Sequence, residues 1–395
     1  MEGKGPTYSF IVEYYDPYST TIKKYTLLYH SGGKAVEMHD QRLNKLFLKP
    51  TKMENIRLSD LYLGSCVTVL SRTLRVVDFG DNFTRKALCR SSERCVAFIR
   101  PESVCRTGEI ISNLEGKGFR LVNLKIFCPT SEEITTLIGN LVDYTKLPHL
   151  LTELSETNIV AVEVMGNNAC AAMRELVGGP SGPEKGTIFV SSKDMLVFAT
   201  DPESSAAQAE MIFGHPGGPR FRGSPRLKGT TLAIIKPHAV SDGLTGSIWT
   251  AIREHGFCIS AARLYRLSKA DAAEFLEVYK GVAHEYPEML DQLACGPCVA
   301  LEIASTEEGV DVQKTFREFV GPLDPEIAKF LRPQTLRAKF GVDKIHNAVH
   351  CTDLPEDTEL EGFFLFGVLC NYLGIATRAN FKIAFGVDQY YTTGT

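Results

Sequence analysis

The chain writes one pattern twice, and any fold proposed for it has to contain both copies. From Cys95 it reads CVAFIRPESVCRTGEIISNLEGKGFRLVNLKIF, and from Thr231 it reads TLAIIKPHAVSDGLTGSIWTAIREHGFCISAARLYRL. Each copy runs an apolar strand, a basic residue, a proline, Gly-x-Ile at helical periodicity, then Gly-Phe opening a second strand. Arg100 aligns with Lys236, Pro101 with Pro237, and Gly118-Phe119 with Gly256-Phe257. Farther on, MRELVGGP from Met173 aligns with FREFVGP from Phe316. A period on the order of 140 residues is too long for a solenoid, so it describes two tandem domains.

The 395 residues leave room for more than the repeats. Residues 1–90 alternate in short period-2 runs (FIVEYY, KYTLLYH, AVEM, KLFL, VTVL, LRVVDF) broken by DPYS, HSGGK and GDN, which predicts a small all-β barrel or sandwich. It carries no metal or nucleophile spacing and reads as a binding module. Residues 91–213 hold the first repeat and 230–370 the second. Between them 214–229 is rich in Gly, Pro and Arg and cannot bury a core, so it reads as a solvated flexible linker. Residues 371–395 form an apolar, then aromatic and polar extension that either packs back or docks on a partner.

A net charge of −4 argues against sequence-independent nucleic-acid binding by the whole chain. No apolar run reaches the ~18–20 residues of a membrane span. The opening residues lack the apolar stretch of a secretory signal. The 11 cysteines are therefore expected to be reduced thiols in a cytoplasmic setting. Cys295-Gly296-Pro297-Cys298 copies a redox dithiol. That chemistry needs a helix N-terminus after the first Cys, and here a β-branched run from Val299 follows, so a turn entering a buried strand is expected.

In the second repeat, polar residues stand where phosphoryl transfer would need them. Lys236 sits at a strand end, Arg317 on a helical stretch, and Arg337 in a Gly- and Pro-punctuated loop. Asn347 and His350 lie on a short alternating strand, and Glu361 lies on a helical stretch. Cations would neutralise phosphate charge, neutral His would be the nucleophile, and the carboxylate would fix its tautomer. From spacing alone this is weak, because a lone His at a strand end is more often structural. P-loop and protein-kinase signatures are missing.

The motifs IIKPHAV, CGPCVALEI, TFREFVGPLDPE, LRPQTLRAKFG and NAVHCTDLPED resemble the nucleoside diphosphate kinase family, and the N-terminal module (YDP, KYTLLYH, VEMHD, FLKPTK, VVDFGDNFT) resembles the DM ten domain of ciliary proteins. The resemblance spans residues 8–366. It implies two ferredoxin-like α/β domains with antiparallel sheets, and a ping-pong transfer of γ-phosphate between nucleoside tri- and diphosphates, with Mg²⁺ accompanying the nucleotide. By that match His350 is the phosphorylated histidine and Glu361 orients its ring. Lys236, Tyr279, Arg317, Arg337 and Asn347 contact phosphate and sugar.

The chain departs from the family at several places. His238 replaces Asp, Cys351 replaces Gly, Leu323 replaces Thr, and Glu288 replaces the base-stacking Phe, with Tyr286 as a substitute ring. In the first repeat the matching positions are Arg100, Phe189, Val197 and Thr200, and only Arg174 keeps register, so no phosphate transfer is expected there. The resemblance further implies a microtubule-associated protein of the cilium or flagellum, with tubulin and axonemal partners, in the axoneme, its doublet lumen, the basal body or the centrosome. It also suggests a monomer whose kinase domains form a pseudo-dimer. The alternative is a purely structural microtubule-stabilising scaffold without catalysis.

Overall fold

The computed structural model describes residues 5–16, 21–53, 56–63, 65–70, 72–88, 93–178, 193–214, 221, 223, 225–307 and 309–369. Most of the linker's first half, Phe189 and the extension from 371 onward lie outside the described residues. The chain opens with β1 (Thr7–Asp16), β2 (Thr21–His30), β3 (Ala35–Asp40), β4 (Lys45–Lys52), β5 (Cys66–Val69), β6 (Arg72–Phe79) and α1 (Asn82–Leu88). The first repeat follows as β7 (Glu93–Ile99), α2 (Thr107–Gly116), β8 (Arg120–Phe127), α3 (Ser131–Ile138), α4 (Leu147–Leu154), β9 (Ile159–Gly166), α5 (Ala169–Gly178), β10 (Met195–Leu196) and α6 (Pro202–Phe213). The second repeat begins with β11 (Thr230–Ile235), α7 (Pro237–Ser241), α8 (Thr245–Glu254), β12 (Phe257–Arg266), α9 (Lys269–Phe275), α10 (Tyr286–Leu293) and β13 (Pro297–Ser305). It ends with α11 (Val312–Val320), α12 (Pro325–Leu331), α13 (Leu336–Phe340), β14 (Val349–Cys351) and α14 (Thr358–Phe363).

Two compact units result. One holds residues 1–93, 166–168 and 266–296, and the other holds the rest. In the first unit the described pairings form one six-stranded antiparallel sheet in the order β4-β3-β2-β1-β6-β5. The alternation read from sequence is why. Tyr25, Leu27 and Tyr29 of β2 are buried with exposed or half-buried residues between them, and Leu27 and Tyr29 register against Met38 and Val36 of β3. Residues 266–296, with α9 and α10, belong to this unit, where Arg266 Nη2 donates to Tyr62 Oη at 2.6 Å.

In the second unit both repeats contribute to one eight-stranded sheet, ordered β10-β7-β9-β8-β12-β13-β11-β14. Strands β9, β11 and β13 are buried almost throughout, matching their near-continuous apolar sequences. The repeats meet at β8 and β12, where Lys125 registers opposite Arg263. These residues occupy equivalent places after the two Gly-Phe pairs, and an antiparallel pair that crosses a two-fold axis sets a residue against its own counterpart. The helices obey the same symmetry. A Cβ on Gly108 would lie 2.6 Å from Thr250 N, and one on Gly246 would lie 2.2 Å from Ser112 N, so α2 and α8 touch backbone to backbone only because both positions are glycine. The repeat is thus a pseudo-dimer folded from one chain.

The dithiol look-alike resolves as expected. Pro297 opens β13, Cys298 is fully buried, and burial pushes the Cys295 thiol up to about 11. Neither is a reactive thiolate. Among the described residues no helix is long and apolar enough to cross a membrane.

Candidate functional site

Helix α11 begins at Asp311, whose side chain accepts from Lys314 N at 3.1 Å. Its buried stripe is Val312, Phe316, Phe319 and Val320, which turns Arg317 to the exposed face. The helix stops at Gly321, held at φ 87°; a Cβ there would strike Thr335 Oγ1 at 2.4 Å. The freed carbonyl of Gly321 accepts from Arg337 Nη1 at 3.0 Å, while Arg337 Nε donates to Val349 O at 3.1 Å. Arg337 stands on the short helix α13 rather than in the loop expected from its Gly and Pro neighbours, because Thr335 starts a new helical turn. Its guanidinium therefore ties the end of α11 to the strand that carries His350.

That strand is shorter than the sequence alternation suggested: β14 covers only Val349–Cys351. Asn347 precedes it, and Ala348 takes a left-handed backbone at φ 66°. The turn lets Lys236 N donate to Ala348 O at 2.8 Å and registers His350 opposite Ile234 of β11. Asn347 is fully buried and its Nδ2 donates to Leu323 O and Lys344 O, at 3.1 and 3.0 Å. Its Oδ1 has no partner among the described residues.

His350 is 7% exposed, and its Nε2 faces Glu361 Oε1 at 3.6 Å. The other oxygen of Glu361 accepts from Thr352 Oγ1 at 2.7 Å. Helix α14 thus delivers a carboxylate towards one ring nitrogen, Nε2. The contact is longer than a hydrogen bond.

Lys236 ends β11 and is buried. Its Nζ donates to Ile345 O at 2.9 Å. Burial, reinforced by the nearby Arg337 charge, pushes its pKa down to about 7. Asp343 opposes that shift without cancelling it. Beside Lys236, His238 meets His346 edge-on at 5.1 Å between ring centroids. Burial, with His346 and Lys236 adding to it, holds His238 near 4, so its imidazole is neutral. Arg317 is more than half exposed and pairs with Asp353 at 3.2 Å. Cys351, next to His350, is kept protonated by burial, which pushes its thiol up to about 11.

Six of the seven predicted residues (Lys236, Arg317, Arg337, Asn347, His350 and Glu361) therefore stand in one unit, on the ends of β11, α11, α13, β14 and α14. Tyr279 closes the 3₁₀ turn Glu277–Tyr279 and belongs to the other unit, as do Tyr286 and Glu288 of α10. Sequence reading missed Thr352, Asp353 and Asp343, although the first two sit inside the quoted NAVHCTD motif. It also missed the strained turn at Ala348, which an alanine does not announce.

The first repeat is arranged differently. Arg100, in the place of Lys236, is ion-paired with Glu153 of α4. Thr200 Oγ1 donates to Asp201, which caps α6. Val197 is half-buried, and Arg174 Nε donates within its own helix to Cys170 O at 3.4 Å. Arg106 pairs with the buried Asp194 at 2.7 Å, and Ser103 Oγ donates to the same oxygen at 3.0 Å. An internal carboxylate, Glu153, thus holds Arg100, the cation aligned with Lys236.

Comparison with known proteins decides the family. The nucleoside diphosphate kinase family model matches residues 93–210 and 229–368, most of the chain. The chain belongs to the nucleoside diphosphate kinase family. It is similar along nearly its whole length to nucleoside diphosphate kinase homolog 7 of Mus musculus, 39% identical over 92% of this chain and 94% of the relative. The Rattus norvegicus homolog 7 is 38% identical over the same shares. The nucleoside diphosphate kinase of Aquifex aeolicus is 37% identical over 35% of this chain and 94% of its own length.

Proposed function

We propose that the second repeat moves the γ-phosphate of a nucleoside triphosphate to a nucleoside diphosphate through His350, and that the first repeat transfers none. The observation that carries this reading is the buried His350 ring with Glu361 at Nε2, in a unit that also collects Lys236, Arg317 and Arg337. The Nδ1 lone pair attacks the γ-phosphorus, the bond to the β–γ bridging oxygen breaks, and the diphosphate leaves with that electron pair. A second diphosphate then attacks the phosphorus with a terminal oxygen, and the N–P bond breaks. Glu361 holds the imidazolium that forms, and the cations spread the charge on the migrating group. Asn347 Oδ1, buried and without a protein partner among the described residues, suits a substrate hydroxyl.

Mg²⁺ would arrive with the nucleotide. It would supply charge neutralisation on the phosphates during transfer.

The N-terminal module directs this enzyme to microtubules of the cilium or flagellum, in the axoneme, its doublet lumen, the basal body or the centrosome of a cytoplasmic protein. Tubulin and axonemal proteins are its partners. The support is the module's resemblance to ciliary domains. A net acidic chain would bind acidic tubulin through local basic patches or apolar contact. The internal pseudo-dyad supports a monomer, because the symmetric contact is already satisfied within one chain. The scaffold reading is favoured by one observation, the carboxylate-paired Arg100 of the first repeat.

The deciding experiment incubates the full chain with γ-labelled ATP and looks for an acid-labile phosphohistidine absent from His350→Ala. An unlabelled wild-type chain would remove the enzyme. For location, retention in detergent-extracted axonemes is expected, and complete wash-out would refute it.

A further inference from the structure

The linker between the repeats ends on a latch. Glu302 of β13 is buried on the strand, a position where an ionised carboxylate needs partners to stay charged. It finds them in the linker. Oε2 accepts from Arg226 N at 2.9 Å and Oε1 from Leu227 N at 2.6 Å. Ser260 Oγ and Thr230 Oγ1 complete the set from β12 and β11. Two successive backbone N–H groups captured by one carboxylate fix the local chain, and Leu227 is held there at φ 63°. A leucine adopts that left-handed backbone only where its surroundings over-determine it.

The Leu227 side chain is delivered to Gly362. A Cβ built on that glycine would lie 3.5 Å from Leu227 Cδ2, ordinary contact distance. Gly362 follows Glu361, whose Oε1 faces His350 Nε2. Helix α14 is short, and its C-terminal continuation is held from another side by Tyr265 Oη donating to Leu365 O at 2.6 Å. Neighbouring groups thus run from Glu302 to the 226–227 backbone, to Leu227 beside Gly362, to Glu361 and on to His350.

We propose that Leu227, locked by Glu302, is a positioning residue for Glu361, so that the inter-repeat linker completes the support of the His350 site. This rests on the reading of His350 as the phosphate acceptor. It assigns the last residues of the linker a role that its Gly-, Pro- and Arg-rich composition conceals. It also makes the second site depend on how the chain leaves the first repeat.

The test uses the full chain with Leu227→Gly, which accepts the left-handed backbone while removing the contact, and Glu302→Gln, which keeps the shape and weakens the latch. The rate of phosphohistidine formation should fall about tenfold in Leu227→Gly, equivalent to ~1.4 kcal/mol of barrier. Affinity for ADP should change less than twofold, and Leu227→Met should restore most of the rate. In a Glu361→Gln background, Leu227→Gly should have no further effect. Equal labelling of wild type and Leu227→Gly overturns the positioning role while leaving the kinase reading intact. If wild type takes no label, the kinase reading fails, and NMR titration of the His350 ring still decides the latch. The ring's midpoint should move in Leu227→Gly, and an unmoved midpoint overturns the proposal.

Discussion

Lys236 is the residue on which function and stability pull in opposite directions. An ammonium group buried beside Arg337 has its pKa lowered from an ordinary 10.5 to about 7. The unfolded chain binds its proton up to pH 10.5, whereas the folded chain releases it near 7. Between those values the unfolded state holds more protons, so stability rises with pH across the window. At ~1.36 kcal/mol per pH unit the full effect is roughly 4–5 kcal/mol, a ceiling of the same order as a domain's whole stability.

Replacing Lys236 with Met removes the titration. The variant should be more stable than wild type by several kcal/mol at pH 6.5, and the gap should close towards pH 10. Trp249 is the single tryptophan, buried on α8 of the second repeat, so its fluorescence during urea unfolding reads the right unit. Nucleotide adds a second arm. Phosphate oxygens near Lys236 favour its charged form, so binding at pH 8 should take up a proton, seen in calorimetry as a buffer-dependent enthalpy. A stability gap that stays flat from pH 6.5 to 9.5 would refute the reasoning.

Other outcomes follow from the same geometry. Gly246→Ala would place a Cβ 2.2 Å from Ser112 N and should destabilise the Trp249-reported transition by roughly 1–3 kcal/mol. Calorimetric titration with ADP should give one nucleotide per chain, because Arg100 is held by Glu153; two equal sites would defeat that reading. Arg317→Ala, which strips a half-exposed cation, should weaken ADP binding about tenfold, with a slope against salt lower than that of wild type. Alkylation followed by mass spectrometry should label the exposed Cys105 well before the half-buried Cys295 or the buried Cys351 at pH 8.

Much of this was legible in the residues, for identifiable reasons. Period-2 burial in Tyr25, Leu27 and Tyr29 shows as plain alternation, and the two Gly-Phe pairs align the two copies of the repeat. Lys236 could be placed by pattern because it follows an apolar strand, whereas His350 and Glu361 take their roles from the family resemblance and not from spacing. What could not be read depends on contacts distant in sequence. Arg337 reads as a loop residue, yet it sits on a helical turn and spends two donors on the carbonyls of Gly321 and Val349. Asn347 was expected on the strand with His350, but the left-handed Ala348 ends the strand before it. Glu302 looks like an interruption in an apolar run, and its partners are backbone groups more than 70 residues away.

The pseudo-dyad and the polar residues of the two repeats lie on different elements. The contacts that hold the repeats together lie on β8, β12, α2 and α8, where backbone approach at Gly108 and Gly246 tolerates no side chain. The polar residues lie instead on the ends of β11, α11, α13, β14 and α14 and on their counterparts in the first repeat. Substitution at those ends leaves the dyad untouched. A buried cation without a phosphate is costly there, as the depressed Lys236 shows, and an internal carboxylate removes the cost. Glu153 does this for Arg100, the residue aligned with Lys236. In the first repeat that cation is already paired within the fold. The second keeps Lys236 buried and strained towards neutrality, an arrangement that stabilises the folded chain less the more strongly it can attract a phosphate.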